Sequence, residues 1–174
     1  ASTNSYGHRM NILKTYLPSP ETGGFYFAFL DNDKLGFYDV DGGGVFPYIS
    51  TDSVSIQQWH HVAVVRENGL VSFFIDGVKD ANSYACSTDF NYVAGGFMFG
   101  DDIQTVTGFD GLMDNVRVSS IARYSSNFNV PTEDFVSDES TLLLVKYLGT
   151  SPSVDVGVYS QAGGNSPAVY GPWT

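Results

Sequence analysis

The amino-acid sequence predicts an all-β protein, an antiparallel β-sandwich with at most one short helix. Among its 174 residues are 13 Phe, 11 Tyr and 19 Gly, a composition that favours strands and tight turns. Apolar and polar residues alternate in short runs along much of the chain, which is the period of a half-buried strand. Turn residues separate these runs about every ten residues, as in known sandwiches.

The first half of the chain contains six predicted strands. A Pro-Ser-Pro sequence at 18–20 ends the first of them, because proline cannot donate to a sheet. A loop at 31–34 joins the next two strands as a hairpin. A further hairpin turns at Glu67-Asn68-Gly69, whose Asn-Gly pair favours a tight turn. The predicted strands are residues 11–17, 25–30, 35–40, 45–49, 61–66 and 70–75.

The second half contains four more predicted strands and one plausible helix. Residues 119–128, SSIARYSSNF, are expected to form about two helical turns. In the last strand Val154, Val156 and Val158 alternate with smaller or polar residues, as a half-buried strand requires. We predict that this strand is paired in a sheet and that the chain is one domain over residues 1–174. The four strands are residues 96–100, 109–118, 142–148 and 153–160.

Charge and cysteine content exclude several kinds of partner and site. The formal net charge is −11, with only 8 Lys and Arg residues. Binding of nucleic acid requires a basic surface, so we expect none. No apolar run approaches the ~20 residues of a membrane span, so we expect a soluble protein without membrane insertion. Cys86 is the single cysteine, which excludes an internal disulfide framework and a multi-cysteine zinc site.

Three stretches together resemble a known family. They are WHHVAVVRENGLVSFFIDGVKD at 59–80, FDGLMDNVRVSSIARYSSNF at 109–128 and TLLLVKY at 141–147. Their Trp-x-His-Val-Ala, Asp-Gly, Phe-x-Gly, Asp-x-Val-Arg and Ile-Ala-Arg-Tyr elements resemble the laminin-G-like domains of the concanavalin A-like lectin/glucanase superfamily. The resemblance extends over residues 10–147. It implies a jelly-roll sandwich of two curved antiparallel sheets.

The resemblance also implies a location and raises a question about the first strand. The Ile-Ala-Arg-Tyr variety is similar to copies in phage and bacterial surface proteins, so we expect an extracellular or virion-surface protein. Family members carry strands ahead of the segment matching residues 11–16, where this chain has ten residues. Three explanations stay open: residues 153–160 fill that place as in a circular permutation, a partner subunit donates the strand, or the sequence begins inside a larger protein.

The adjacent histidines His60 and His61 are predicted to be structural. Successive strand residues point to opposite faces, so the two rings cannot share one small ion. No suitable second ligand lies two residues away on either side. The resemblance implies that the histidine of the Trp-x-His-Val-Ala pattern, His61, is a hydrogen-bonding residue of the sheet. We therefore place His60 in a sheet, away from ligand-binding loops.

Catalysis is not expected. Glycoside hydrolysis, known in the superfamily, needs two carboxylates about 5–9.5 Å apart. The superfamily's Glu-x-Asp-x-x-Glu signature does not occur, and the four glutamates, Glu21, Glu67, Glu133 and Glu139, lie in turn or loop contexts. The composition leaves a Ser-His-Asp site open, although the sequence contains no Gly-x-Ser-x-Gly elbow. We predict that the chain is not an enzyme.

A structural calcium ion is the one cofactor that the sequence leaves open. Calcium binds carboxylate and carbonyl oxygens, which acidic Gly-rich turns supply. Asp114 resembles an aspartate that helps to hold calcium in the glucanase relatives. Its partner ligands there come from an N-terminal strand that we do not find here. The alternative is that Asp114 is a fold-holding carboxylate paired with Arg117 or Arg123.

The aromatic and polar loop residues are candidate glycan contacts. Sugar rings stack on Tyr and Trp, and their hydroxyls bond to Asp, Asn and backbone amides. The predicted function is a non-catalytic module that binds a carbohydrate or another surface polymer, as in adhesion or receptor binding. The alternative is a structural or decoration subunit of a virion or surface assembly, and a glycoside hydrolase is third. The candidate ligand-binding residues are Tyr48, Tyr84, Asn91, Tyr92, Asp101 and Asp102.

Overall fold

The computed structural model describes residues 10–15, 24–30, 32–39, 48–87, 97–100, 109, 111–148 and 151–155. Within these ranges it contains antiparallel strands and no helix, which confirms the all-β prediction. The described part therefore includes no helix with the length and apolar character of a membrane span. The strands are β1 (Met10–Thr15), β2 (Phe25–Phe29), β3 (Lys34–Asp39), β4 (Tyr48–Ser53), β5 (Val62–Glu67), β6 (Leu70–Ile75), β7 (Val78–Ala85), β8 (Phe97–Phe99), β9 (Val116–Ser119), β10 (Thr141–Leu148) and β11 (Ser151–Asp155).

The strands form one large sheet and two smaller ones. The large sheet has the order β4-β3-β2-β1-β8, and the smaller sheets have the orders β5-β6-β7 and β11-β10-β9. The main core lies between the large sheet and β5-β6-β7, where Leu35, Val71 and Phe73 are fully buried. A second cluster joins Leu13 of β1 and Phe97 of β8 to Leu143 of β10. Both smaller sheets thus pack on the large one, as in a sandwich.

The two predicted hairpins are confirmed. β2 pairs with β3 in continuous register from Phe25 opposite Asp39 to Phe29 opposite Leu35. β5 pairs with β6, and Asn68 and Gly69 form the turn with φ values of 51° and 75°. Both central residues of such a turn need positive φ, which Asn and Gly adopt readily. Local turn chemistry therefore determined the pairing of β5 with β6.

The sequence analysis missed β7 and ended β4 too early. β7 is the edge strand beside β6, and most of its residues are exposed, so it lacks the apolar alternation that signals a strand. β4 begins at Tyr48 and continues to Ser53, where the prediction was residues 45–49. The described part of the predicted strand 109–118 is extended only from Val116, after Asn115 with a φ of 51°.

The predicted helix at 119–128 is wrong. This segment runs irregularly, because its backbone bonds to distant parts of the chain: Ser120 N–H donates to Ser140 O and Phe128 N–H donates to Gly77 O. Arg123 donates two 2.6 Å hydrogen bonds to the carboxylate of Asp138. These bonds hold the pKa of Asp138 well below its ordinary value. Tertiary bonds have replaced the local bonds that a helix would make.

The strand predicted at 153–160 is confirmed over the residues that the structure describes. β11 pairs with β10 from Leu144 opposite Asp155 to Leu148 opposite Ser151. Residues 156–160 lie outside the described part. β1 pairs with β2 on one side and with β8 on the other. The three explanations for the missing N-terminal strands, the circular permutation among them, stay predictions.

Candidate functional site

The segment between β4 and β5, residues 54–61, is an exposed loop with firmly held ends; we call it the Trp59 loop. At its start Val54 is buried and its N–H donates to Asp33 O at 2.7 Å. At its end His61 N–H donates to Asp76 Oδ1 at 2.9 Å, and Asp76 N–H donates to His61 O at 2.8 Å. Gln57, with a φ of 65°, reverses the chain between these anchors.

Large apolar side chains project from this loop into solvent. Trp59 is 66% exposed and Ile56 is 65% exposed. Polar side chains surround them in sequence, because Ser55, Gln57 and Gln58 are exposed as well. A tryptophan offers a large, rigid apolar face with one hydrogen-bond donor, and exposed apolar surface rimmed by polar groups marks interaction sites. The arrangement is suited to a ligand with one apolar face and several hydroxyl groups.

A chain of hydrogen bonds fixes the loop from within. His60 Nδ1 lies 2.7 Å from Asp76 Oδ2, and His60 Nε2 lies 2.8 Å from Ser55 Oγ. An ionised carboxylate can only accept, so the proton of the neutral ring is on Nδ1. Nε2 is then an acceptor, and the Ser55 hydroxyl donates to it. The Gln58 amide donates to the oxygen of Ser55.

The structure corrects the placement of His60 and separates it from His61. His60 lies in the Trp59 loop and not in a sheet, so the expectation that it is remote from loops is wrong. The His61 ring packs edge-on against Tyr124 and Phe128, with ring centroids 5.7 and 5.3 Å away. Burial, opposed by the charge of Asp76, lowers the pKa of His61. Its Nδ1 has no hydrogen-bond partner among the described residues, so the ring packs and only the backbone of His61 bonds to Asp76.

Asp114 lies in the exposed turn before β9. Its Oδ1 accepts a 2.7 Å hydrogen bond from Asn115 N–H. Arg123 donates to Asp138, and the Arg117 guanidinium lies over the Phe135 ring, 4.2 Å from the ring centroid. A pairing of Asp114 with Arg117 or Arg123 stays a prediction. Among the described residues no three His, Cys, Asp or Glu side chains form a group that could hold a metal ion. The calcium site at Asp114 stays a prediction.

Two of the predicted ligand-binding residues lie side by side. Tyr48 of β4 and Tyr84 of β7 have ring centroids 5.9 Å apart, and both are half-buried against the main core. The Tyr84 hydroxyl donates to Ile49 O, so this group is already used within the fold. The other four, Asn91, Tyr92, Asp101 and Asp102, lie outside the residues that the structure describes.

The sequence analysis did not select Trp59, Ser55 or Asp76 as site residues. Trp59 was assigned to the family's strand pattern, and Asp76 to a hairpin turn. One signal was available: the polar pair Gln57-Gln58 before Trp59 interrupts the alternation of a strand, which indicates a loop. Nothing in the sequence links Ser55 to Asp76, because they lie 21 positions apart and meet only through His60.

The comparisons with known proteins bear on the fold. The laminin G model of the concanavalin A-like lectin/glucanases superfamily matches residues 2–127, more than half of the chain. The comparisons with curated proteins and with solved structures found no match.

Proposed function

Because the chain belongs to the concanavalin A-like lectin/glucanase superfamily, we propose that it is a lectin-like module that binds a glycan or another surface polymer without cleaving glycosidic bonds. It would act at an outer surface, of a cell or a virion. The observation that carries the proposal is the 66% exposed Trp59 on a loop held at both ends. Fold alone does not imply function, so the proposal is drawn from this site.

The physical argument for this site concerns the conformational entropy that a loop loses when it becomes ordered on binding a ligand. A side chain that must be fixed on binding loses entropy worth about 0.5–1.5 kcal/mol, so a loop already held by hydrogen bonds binds with a smaller penalty. The bonds from His60 to Ser55 and Asp76 hold the loop in this way. Trp59 then provides an apolar face for a sugar ring, with the exposed amide group of Gln57 nearby in sequence for its hydroxyls.

The net charge of the protein indicates which class of glycan it should bind. A formal charge of −11 repels polyanions over distances of about one Debye length, about 8 Å at physiological ionic strength. We therefore expect neutral glycans to bind more tightly than sialylated or uronic-acid polymers. Acidic polymers should bind, if at all, only at high salt.

The test is a glycan array followed by calorimetry on the bound compounds. We expect Trp59→Ala to weaken binding by about tenfold or more, a loss of about 1.4 kcal/mol. Leu112→Ala is the matched control, since Leu112 is 78% exposed on another loop. Equal melting temperatures of both variants would show that folding is unaffected. Unchanged binding by Trp59→Ala would contradict the proposed site.

A second candidate function has its own observation. Ile121 and Val136 are 54% and 76% exposed, and both follow β9 in the irregular segment 120–140. Exposed apolar side chains outside the Trp59 loop would serve contacts between subunits of a virion or surface assembly. Native mass spectrometry separates the candidates. A monomer that binds sugar supports the lectin-like module, and an obligate oligomer without sugar binding supports the structural subunit.

A further inference from the structure

We infer that Ser55, His60 and Asp76 form a nucleophilic site that hydrolyses carboxylic esters. This goes beyond glycan binding and does not depend on it. The inference comes from the order of the hydrogen bonds: carboxylate to Nδ1, and Nε2 to a serine hydroxyl, at 2.7 and 2.8 Å. The same order activates the serine in known acyl-transfer enzymes of unrelated folds, where it is recognised by geometry and not by sequence position.

The carboxylate of Asp76 is held in place on both oxygens. Oδ2 accepts from His60, and Oδ1 accepts from His61 N–H at 2.9 Å. Asp76 has a φ of 50° in the tight turn that joins β6 to β7, so its backbone is also fixed. The His60 side chain is only 13% exposed. The imidazole is therefore held in the orientation and tautomer in which Nε2 faces the serine hydroxyl.

The nucleophile itself is accessible. Ser55 is exposed, so a carbonyl carbon can reach its Oγ from solvent. The Gln58 amide donates to the same oxygen, and it is therefore close enough to donate to an oxyanion that forms beside Ser55. Trp59, four residues after the serine, offers an apolar face for the acyl or alcohol part of the ester.

The reaction proceeds in two balanced steps. The Ser55 oxygen attacks the ester carbonyl carbon while its proton moves to His60 Nε2, and the bond to the leaving alkoxide breaks as His60 returns that proton to it. The products of this step are a free alcohol and an acyl-serine. Water then attacks the acyl carbon, gives a proton to His60 Nε2, and releases the carboxylic acid as Ser55 regains the proton. Asp76 acts as a positioning residue that stabilises the charged imidazole.

A purely mechanical role for the same hydrogen bonds makes a different prediction. In that case the array only braces the Trp59 loop, and Ser55 is no more reactive than any exposed serine. Ser53, two residues earlier at the end of β4, is also exposed and provides the comparison. If Ser55 is reactive, the expectation of a non-enzymatic module does not hold for ester bonds.

The experiment treats the folded full chain with a fluorophosphonate and locates the adduct by peptide mass spectrometry. We expect an adduct on Ser55, none on Ser53, and hydrolysis of p-nitrophenyl acetate that falls about tenfold or more in Ser55→Ala. Ser53→Ala should hydrolyse at the parent rate. Asp76→Asn should lower kcat with little change in KM, which a bracing role alone would not produce.

Two results would overturn the inference. One is the absence of an adduct on Ser55 in protein that is folded by circular dichroism. The other is hydrolysis by Ser55→Ala at the parent rate. Ser55→Ala changes an exposed residue and leaves the hydrogen bonds between Asp76 and residues 60 and 61 in place, so it is the variant least able to disturb folding. If His60 or Asp76 variants fail to fold, this pair of measurements still decides.

Discussion

Asp80 offers the sharpest test of how the large sheet is joined to the smaller sheet β5-β6-β7. This residue of β7 is 5% exposed, and its carboxylate accepts hydrogen bonds from three backbone N–H groups. Two of them, from Thr51 at 2.7 Å and Asp52 at 3.0 Å, come from β4 at the edge of the large sheet. The third comes from Asn82 at 3.0 Å. One carboxylate thus connects an edge of the large sheet to an edge of a smaller one.

The expected loss of stability follows from these bonds. A hydrogen bond to a charged group contributes about 1.5–3 kcal/mol net, and a buried donor left without a partner costs a similar amount. Asp80→Ala removes both bonds to β4, so we expect the free energy of unfolding to fall by about 3–6 kcal/mol. Asp80→Asn keeps one acceptor oxygen but directs an amide N–H at a backbone donor, so we expect a fall of about 1.5–3 kcal/mol.

The assay is urea unfolding near neutral pH, with Asp52→Asn as the control. That variant removes an exposed negative charge from the same region and leaves the backbone hydrogen bonds intact. If Asp80→Asn and Asp52→Asn unfold within about 0.5 kcal/mol of each other, the joining role assigned to Asp80 is wrong.

The pH dependence provides a second readout of the same bonds. Burial alone would raise the pKa of Asp80, but the hydrogen bonds from Asp52, Asn82 and Thr51 outweigh it and lower the pKa below its ordinary value. A lowered pKa means that the stabilisation is complete above the unfolded value of about 3.9 and is lost as the pH falls through the folded value. The difference between the parent and Asp80→Asn should therefore shrink in acid.

Three further predictions follow from other contacts. His61→Phe should remove part of the acid sensitivity. Partial burial lowers the pKa of His61, so the stabilisation by its neutral ring is complete above about pH 6.5 and is lost as the pH falls through the folded pKa. The melting temperatures of variant and parent should therefore diverge as the pH falls below about 6.5. An identical pH profile would contradict this. Gly77→Ala should cost about 2–4 kcal/mol, because its Cβ would lie 2.1 Å from the carbonyl oxygen of Phe128 at a φ of 78°. Gly69→Ala is the control, with a φ of 75° and its nearest atom at 3.9 Å; an equal cost would show that the clash has no effect. If Asp114 holds calcium, a chelator should lower the melting temperature of the parent but not of Asp114→Asn. Identical behaviour of the two proteins would refute the calcium site.

The parts of the fold that the sequence predicted are those controlled by local chemistry. The turn at Asn68-Gly69 and the alternation of β2, β3, β5 and β6 appear directly in the order of residues. β7 could not be found in this way, because an edge strand with most side chains in solvent needs no apolar period. The prediction of a helix at 119–128 was wrong because tertiary contacts override the local preference of this segment. Its sequence tolerates a helix, but bonds from Phe128 to Gly77 and from Arg123 to Asp138 determine its path.

The candidate site was less predictable than the fold. Of the six residues selected as ligand contacts, Tyr48 and Tyr84 lie in the described part of the chain and are neighbours. The other four lie outside that part, and their role stays a prediction. The array of Ser55, His60 and Asp76 depends on a chain reversal at Gln57 and on the position of a hairpin turn. Composition could show only that serine, histidine and aspartate were present. The three residues come together only in the folded chain, and no local sequence pattern predicts their proximity.

The turn of Asp76 and Gly77 restricts how the surface can be redesigned. The side chain of Asp76 holds the Trp59 loop, and the carbonyl of Gly77 accepts from Phe128 N–H in the segment that covers Phe74. The Trp59 loop and the segment that contains Phe128 are distant in sequence, but the same two-residue turn holds both. A library intended to recruit new ligands can vary the exposed side chains of Ile56 and Trp59, provided that Asp76 and Gly77 are kept. Changing the turn itself would alter the Trp59 loop and the segment that contains Phe128 together. Selection for a new conformation of one would then also change the other.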